Sequence, residues 1–336
     1  MNRHLWKTLA VALVLGLAGL VAVTVWLGEP GSWRQVFQLS AVTLAVALLL
    51  MVVSFLAGGA RLLVVLRLAD ARVNLWRASR AHVLGLFAAA ITPSGGGNGV
   101  AIGVALQRDG VKPDVAWSAA VYTTVLDLLF FAWSIPLAVV LLFRANLVST
   151  QLMWLSLGAS LLFLALWYGI AFHLGRFTYL VARLFSLPVV KRWRRPVIRF
   201  FEGVGKATGS MARGDLGNQL QLQALTVVLH GAVYTVFYVL AAALGSPLTW
   251  LPTLALLLII SAASHVVPTP GGSGYFEVAL SYAFSQRGAP AGVTAAVLAF
   301  RVFTYYVPIV LGAVLGGQVL INALRPVPRE TATHSA

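Results

Sequence analysis

Six apolar runs, at residues 9–27, 41–66, 115–143, 152–172, 220–245 and 291–324, are each long enough to cross a bilayer as a helix. A hydrocarbon core of about 30 Å asks for about 20 consecutive apolar residues per span. This pattern alone predicts a polytopic, all-α membrane protein. Across 336 residues the chain is 60% apolar and 10% charged, more than a water-soluble core of that length uses. The N-terminus, MNRHLWKTLAVALVLGLAGLVAVTVWLG, has the layout of a signal peptide, but its apolar part from Leu9 to Leu27 is too long for one. It is expected to stay as the first spanning helix.

Two further apolar stretches, 78–108 and 251–286, are interrupted. The first carries ITPSGGGNG at 91–99 and the second VVPTPGGSGYFE at 266–277. Each half holds about 12 to 18 residues, or about 18–27 Å of helix. Such halves do not comfortably cross the bilayer, so each stretch is expected to enter and leave on one side. Irregular backbone at membrane depth is tolerated only where protein or a water-filled cavity surrounds it.

Charge fixes the expected orientation. All of the 24 Lys and Arg except Arg34, Arg144, Arg287 and Arg301 fall in 1–8, 61–80, 107–114, 173–218 and the tail, if the two broken stretches are re-entrant and the N-terminus is inside. That asymmetry is the positive-inside signature and places both termini in the cytoplasm of a cell (inner or plasma) membrane. The hairpins then enter from opposite sides, as in an inverted repeat. The second signal is the likeness of TPSGGGNG…ALQRDGVKP to TPGGSG…AFSQRGAP. Paired broken helices in inverted repeats point to a binding site near the bilayer midplane.

The organisation expected is one transmembrane domain over 1–324 and a short polar tail over 325–336. Residues 173–218, with KRWRR at 191–195, form a basic amphipathic cytoplasmic segment between the halves. The net charge of +15 belongs to these loops; no nucleic-acid motif accompanies it. There is no cysteine, hence no disulfide or thiolate chemistry.

Charged residues inside spans are functional candidates. Arg301 lies about 15 Å along its helix, Glu277 reaches a similar depth, and Asp127 lies about 18 Å along its own. Glu277 and Arg301 are expected to pair, and Arg61 is within reach of Asp127. Glu277 is also placed to cap the helix that follows Gly274. Helices starting after Gly99 and Gly274 would aim their N-termini at the bilayer centre, where free N–H groups and bare glycine backbone suit an anion. The candidate substrate site is therefore Gly95, Gly96, Gly97, Gly99 and Asp127 from the first half, with Pro270, Gly271, Gly272, Gly274, Glu277 and Arg301 from the second.

Enzymatic alternatives are weaker. Gly271-Gly272-Ser273-Gly274 fits the GxSG pattern of rhomboid proteases, but the only later histidine is His334, in the tail. The six histidines show no ligand pair for a metal, and 95–99 lacks dinucleotide-binding spacing, so no metal or cofactor is expected. Gly312 and Gly316 form a GxxxG spacing suited to a helix contact.

The run PTPGGSGYFEVALSYAFSQRG, followed by an arginine in AVLAFRVFTYYVPIVLGAVLGG, resembles the lysylphosphatidylglycerol synthase transmembrane, or flippase-like, family. Pro268, Pro270, Gly271, Gly272, Gly274, Glu277, Arg301 and Gly312 carry the likeness. TPSGGGNG with LQRDGV and Asp127 in VLDLLFF resembles the first signature, although many members have a charged first loop where Ser94 to Gly99 is uncharged. No aminoacyl-transferase domain follows residue 324, so the resemblance implies the lipid-translocating part. The substrate it implies is an anionic or lysyl-modified phospholipid, or a polyprenyl-phosphate lipid. The alternative is a non-transporting scaffold or accessory subunit of a lipid-modifying enzyme or glycosyltransferase. Its partners would be membrane lipids, a second copy of the chain, or a lipid-synthesis enzyme.

Overall fold

A computed structural model describes residues 32–92, 94–145, part of 149–165, 215–265, 267, 269–285 and 290–323. Its elements, all helical, are α1 (Ser32–Val36), α2 (Ala41–Leu68), α3 (Leu75–Ile91), α4 (Gly97–Arg108), α5 (Pro113–Arg144), α6 (Leu216–Ala243), α7 (Trp250–Ser264), α8 (Tyr275–Ser285), α9 (Pro290–Arg301), a π-helical turn (Val302–Tyr306) and α10 (Val307–Ala323). Four segments are long and apolar enough to cross a membrane: α2, α5, α6 and the continuous Gly292–Gly316 made by α9, the π turn and α10. They coincide with four of the six expected runs. Run 9–27, the tail and most of the basic segment 173–218 lie outside the described residues, and run 152–172 is described only in part.

Local chemistry sets the helix ends. Ser40 caps α2 by accepting from the Thr43 N–H at 3.1 Å, and Asn74 caps α3 by accepting from Arg77 at 2.9 Å. Both satisfy backbone donors left open in a first helical turn. Pro113 and Pro290 open α5 and α9, where the missing N–H removes no helical bond. Gly245, at φ 79°, ends α6 in a left-handed turn closed by a 3.0 Å bond from the Ser246 N–H to the Ala241 carbonyl.

Both interrupted stretches are broken helices. The first break falls between α3 and α4, and the second between α7 and α8. α3 and α4 fold back on one another. Arg80, early in α3, donates to Asp109, just past α4, at 2.5 Å and pins the open end of this hairpin. Each break is followed by a half-helix and then a proline-started long helix, so the element order repeats along the chain.

Glycines set how closely the helices approach. A Cβ on Gly58 would lie 2.2 Å from His82, and one on Gly59 would lie 2.0 Å from Ser79, so α3 seats directly on the α2 backbone. Gly312 does the same for Phe87: a Cβ there would lie 2.2 Å from that side chain. The first glycine of the GxxxG spacing thus serves a contact within the chain, between α10 and α3. Small residues matter here because close backbone approach drives helix association in lipid.

The interior has two main apolar regions. One gathers Phe237, Phe284 and Phe300 from α6, α8 and α9; the other gathers Leu62, Leu84, Leu106 and Leu126 from α2 to α5. Val42, Leu49, Val310 and Val314 stay exposed on the outside. Such an outer face suits acyl chains rather than water, and the protein is membrane-embedded.

Candidate functional site

The first break is built on Thr92. Its hydroxyl donates to the Ala88 carbonyl at 2.7 Å and accepts from the Gly97 N–H at 2.8 Å, so one side chain ends α3 and starts α4. The helix restarts at Gly97, three residues before the Val100 start expected after Gly99, with Thr92 already accepting from the Gly97 N–H. Ser94 and Gly95 turn the chain at φ 51° and 68°, both left-handed. A Cβ on Gly97 would meet the Ala88 oxygen at 2.9 Å. Its glycine is a packing requirement.

In the second break Gly271, Gly272 and Gly274 have φ of 57°, 66° and 85°, which L side chains rarely adopt. Glu277 Oε2 accepts from the Gly274 N–H at 2.7 Å and caps α8. Its other oxygen meets Arg301 Nε at 2.7 Å, with the two side chains 0% and 5% exposed. The expected pair is present. Arg301 also donates to the Gly271 carbonyl at 3.3 Å and to Ser273 Oγ at 3.1 Å, and its guanidinium lies 4.5 Å from the centre of the Tyr305 ring. Glu277 and Arg301 therefore tie the break shut. Buried charges of this kind are tolerable only when paired.

The two breaks touch. Ser94 Oγ donates to the Val267 carbonyl at 3.1 Å, and Tyr305 donates to the Ala90 carbonyl at 3.3 Å. A Cβ on Gly271 would lie 2.3 Å from the Tyr305 ring and 3.5 Å from Ala90 Cα. The π turn supplies the geometry. It follows directly on Arg301 and turns Tyr305 toward both breaks, a use to which such bulges are often put.

Beside the meeting point lies a cavity of about 510 Å³. Gly95, Gly96, Asn98 and Gly99 line it from the first break, Thr124 and Asp127 from α5, and Ala262 and His265 from the end of α7. Among its lining residues Val100, Trp117 and Leu128 are exposed on the outer surface of the bundle, as are Ser94, Thr124 and His265. Asp127, 23% exposed, is held from behind. Arg61 grips both its oxygens, Nη1 on Oδ1 and Nη2 on Oδ2, the latter at 3.2 Å, and Arg61 Nη1 also donates to Thr226 at 3.3 Å. His230 Nε2 lies 3.3 Å from Asp127 Oδ1, and its ring stacks on Phe130 at 4.7 Å with 4° between planes.

The sequence-chosen residues thus divide. Gly95, Gly96, Gly99 and Asp127 line the cavity. Pro270, Gly271, Gly272, Gly274, Glu277 and Arg301 are not in its wall; they shape and close the second break, whose near end adds His265. Sequence reasoning passed over Tyr305, His230 and Thr226. Tyr305 had no signal beyond its closeness to Arg301. His230 had one, a titratable ring inside an apolar run, weighed only as a metal ligand and as a protease partner for Ser273. Among the described residues no group of three or more His, Cys, Asp or Glu could hold a metal.

Residues 8–312 match the family described as the lysylphosphatidylglycerol synthase TM region. The chain belongs to this family. It is also similar to a UPF0104 membrane protein of Archaeoglobus fulgidus, 24% identical over 300 residues that cover 87% of this chain and 91% of the relative. The match to the TM-region family spans both breaks, Asp127 and Arg301, and ends at Gly312, the glycine that seats α10 on Phe87.

Proposed function

We propose that the protein is a lipid translocator that passes a headgroup through the cavity beside the two helix breaks while the tails stay in the bilayer. The observation that carries this reading is the shape of the cavity. It runs from the part-buried polar side chains of Asp127 and Asn98 to the exposed apolar side chains of Val100, Trp117 and Leu128. A lipid has the same polarity along its length. The glycines of the first break bring bare backbone to the wall, where a bulky headgroup can approach closely.

On this reading α3–α4 and α7–α8 are re-entrant hairpins of an inverted repeat in a cell membrane, with both termini in the cytoplasm. The substrate is an anionic or lysyl-modified phospholipid or a polyprenyl-phosphate lipid, handled without covalent chemistry. Membership of a family named for a lipid-synthase membrane region supports the lipid assignment. The test is reconstitution into vesicles with a panel of fluorescent lipids, following their loss from one leaflet. Movement of at least one class above protein-free vesicles is expected, reduced by Gly99→Val, which fills the cavity. No movement of any class would leave a scaffold for a lipid-modifying enzyme as the reading to pursue.

A further inference from the structure

A titratable group lies behind the cavity wall, in contact with its lining residue Asp127. His230 sits in the cluster behind the cavity, beside the Arg61–Asp127 pair. Arg61 binds both oxygens of Asp127, so those two cancel. His230 touches Asp127 Oδ1 and is clamped flat on Phe130. Imidazole is the side chain whose ordinary titration falls in the physiological range, and an aromatic face attracts a cation.

The groups that face His230 are Asp127 from α5, Arg61 from α2, His82 from α3, His265 at the end of α7 and Tyr234 on its own helix. The sole charged residue of α9, Arg301, is taken up by Glu277. A proton on His230 adds one positive charge beside the matched Arg61–Asp127 pair. An anionic headgroup in the adjoining cavity balances it. In low dielectric the two charges stabilise each other strongly, and either alone is costly.

We propose that the cavity takes up an anionic lipid headgroup together with a proton on His230, so that lipid movement is electroneutral and driven by a pH gradient. This rests on the translocator reading. In the loaded state one proton adds to the neutral imidazole, giving N–H on both nitrogens, and one monoanionic phosphodiester occupies the cavity. Both leave on the far side, and no net charge crosses. Asp127 positions the ring and stays paired with Arg61. His82 is a second buried ring of this cluster, its Nε2 lacking a hydrogen-bond partner among the described residues.

The test uses the full chain in phosphatidylcholine vesicles carrying a trace of fluorescent phosphatidylglycerol. A gradient of one pH unit should drive the probe into the leaflet facing the alkaline side by about tenfold at one proton per lipid. A membrane potential imposed without a pH gradient should not. His230→Gln should abolish the asymmetry. An even probe distribution under the gradient in wild type, or a full response in His230→Gln, overturns the coupling while the translocator reading stands.

If no lipid moves, the translocator reading falls, and a second measurement decides the proton site. Dodecyl phosphate is added to the purified protein in weak buffer with a pH dye. Proton uptake on binding, lost in His230→Gln, keeps the paired proton and anion site. Binding without uptake, or no binding, removes it.

Discussion

The Tyr305 hydroxyl donates to the Ala90 carbonyl at 3.3 Å, joining residues 215 positions apart in the chain. Ala90 belongs to the last turn of α3, where helix carbonyls run out of intrahelical donors. Tyr305 supplies one from the π turn of the other half. The bond ties the first broken stretch to the π turn, whose Tyr305 ring packs against Gly271 of the second. Tyr305→Phe should lower the unfolding free energy in detergent by about 0.5–1.5 kcal/mol, since the buried carbonyl loses its donor while the ring stays. A thermal or denaturant melt of the purified variant checks this, and unchanged stability would mean the carbonyl finds another donor.

Arg301 and Glu277 should behave as one unit. Removing either leaves a buried charge with no counterion, which costs roughly 3–5 kcal/mol. Arg301→Ala should therefore lower the yield of folded protein sharply. Glu277→Gln combined with Arg301→Gln should recover part of the loss. Strictly additive effects in this cycle would contradict the 2.7 Å contact.

Gly99 separates the needs of the fold from those of the cavity. A Cβ there comes no nearer than 4.0 Å to the Ala120 oxygen, so the fold has room for it. Gly99→Ala should raise stability, by up to about 1 kcal/mol from helix propensity. Lipid movement in the same variant should fall, because the methyl group narrows the wall. A variant both more stable and fully active would place the transport route elsewhere.

Gly97→Val and Gly272→Val should behave differently from Gly99→Val. At Gly97 a Cβ would clash with the Ala88 oxygen at 2.9 Å, and at Gly272 φ is +66°. Strain of this kind costs of order 1–3 kcal/mol per site. Both variants should lose stability and transport together, measured by size-exclusion profile and vesicle assay on the same preparation.

Orientation is open to a direct measurement because the chain has no cysteine. Lys112→Cys, between α4 and α5, should react with an impermeant thiol reagent only from the cytoplasmic side. Labelling from outside alone would reverse the inverted arrangement inferred from charge.

Helix type and most boundaries were legible in the sequence, because spans of apolar residues leave few alternatives in a bilayer. The breaks were legible too, through PSGGGNG and PTPGGSG. Glu277 with Arg301 followed from depth alone, since opposite charges at one level in neighbouring segments must meet. What the sequence hid was the division of labour. Gly95 and Gly271 look alike in one dimension, yet one borders a cavity and the other lies under the Tyr305 ring. Only the packing of Tyr305, fixed by a π turn that no spacing announced, tells them apart. His230 was hidden for a related reason: its partner Asp127 lies 103 positions away.

The exposed apolar side of the cavity at Val100, Trp117 and Leu128 bears on selectivity. A translocator that encloses only the head of its cargo has nothing with which to measure the tail. On the proposed reading, chain length and saturation would go unnoticed, and diacyl and isoprenoid lipids with the same phosphate end would be equivalent passengers. Discrimination would rest entirely on the few polar atoms around Asp127, so a change of one side chain there could hand the same scaffold a different lipid.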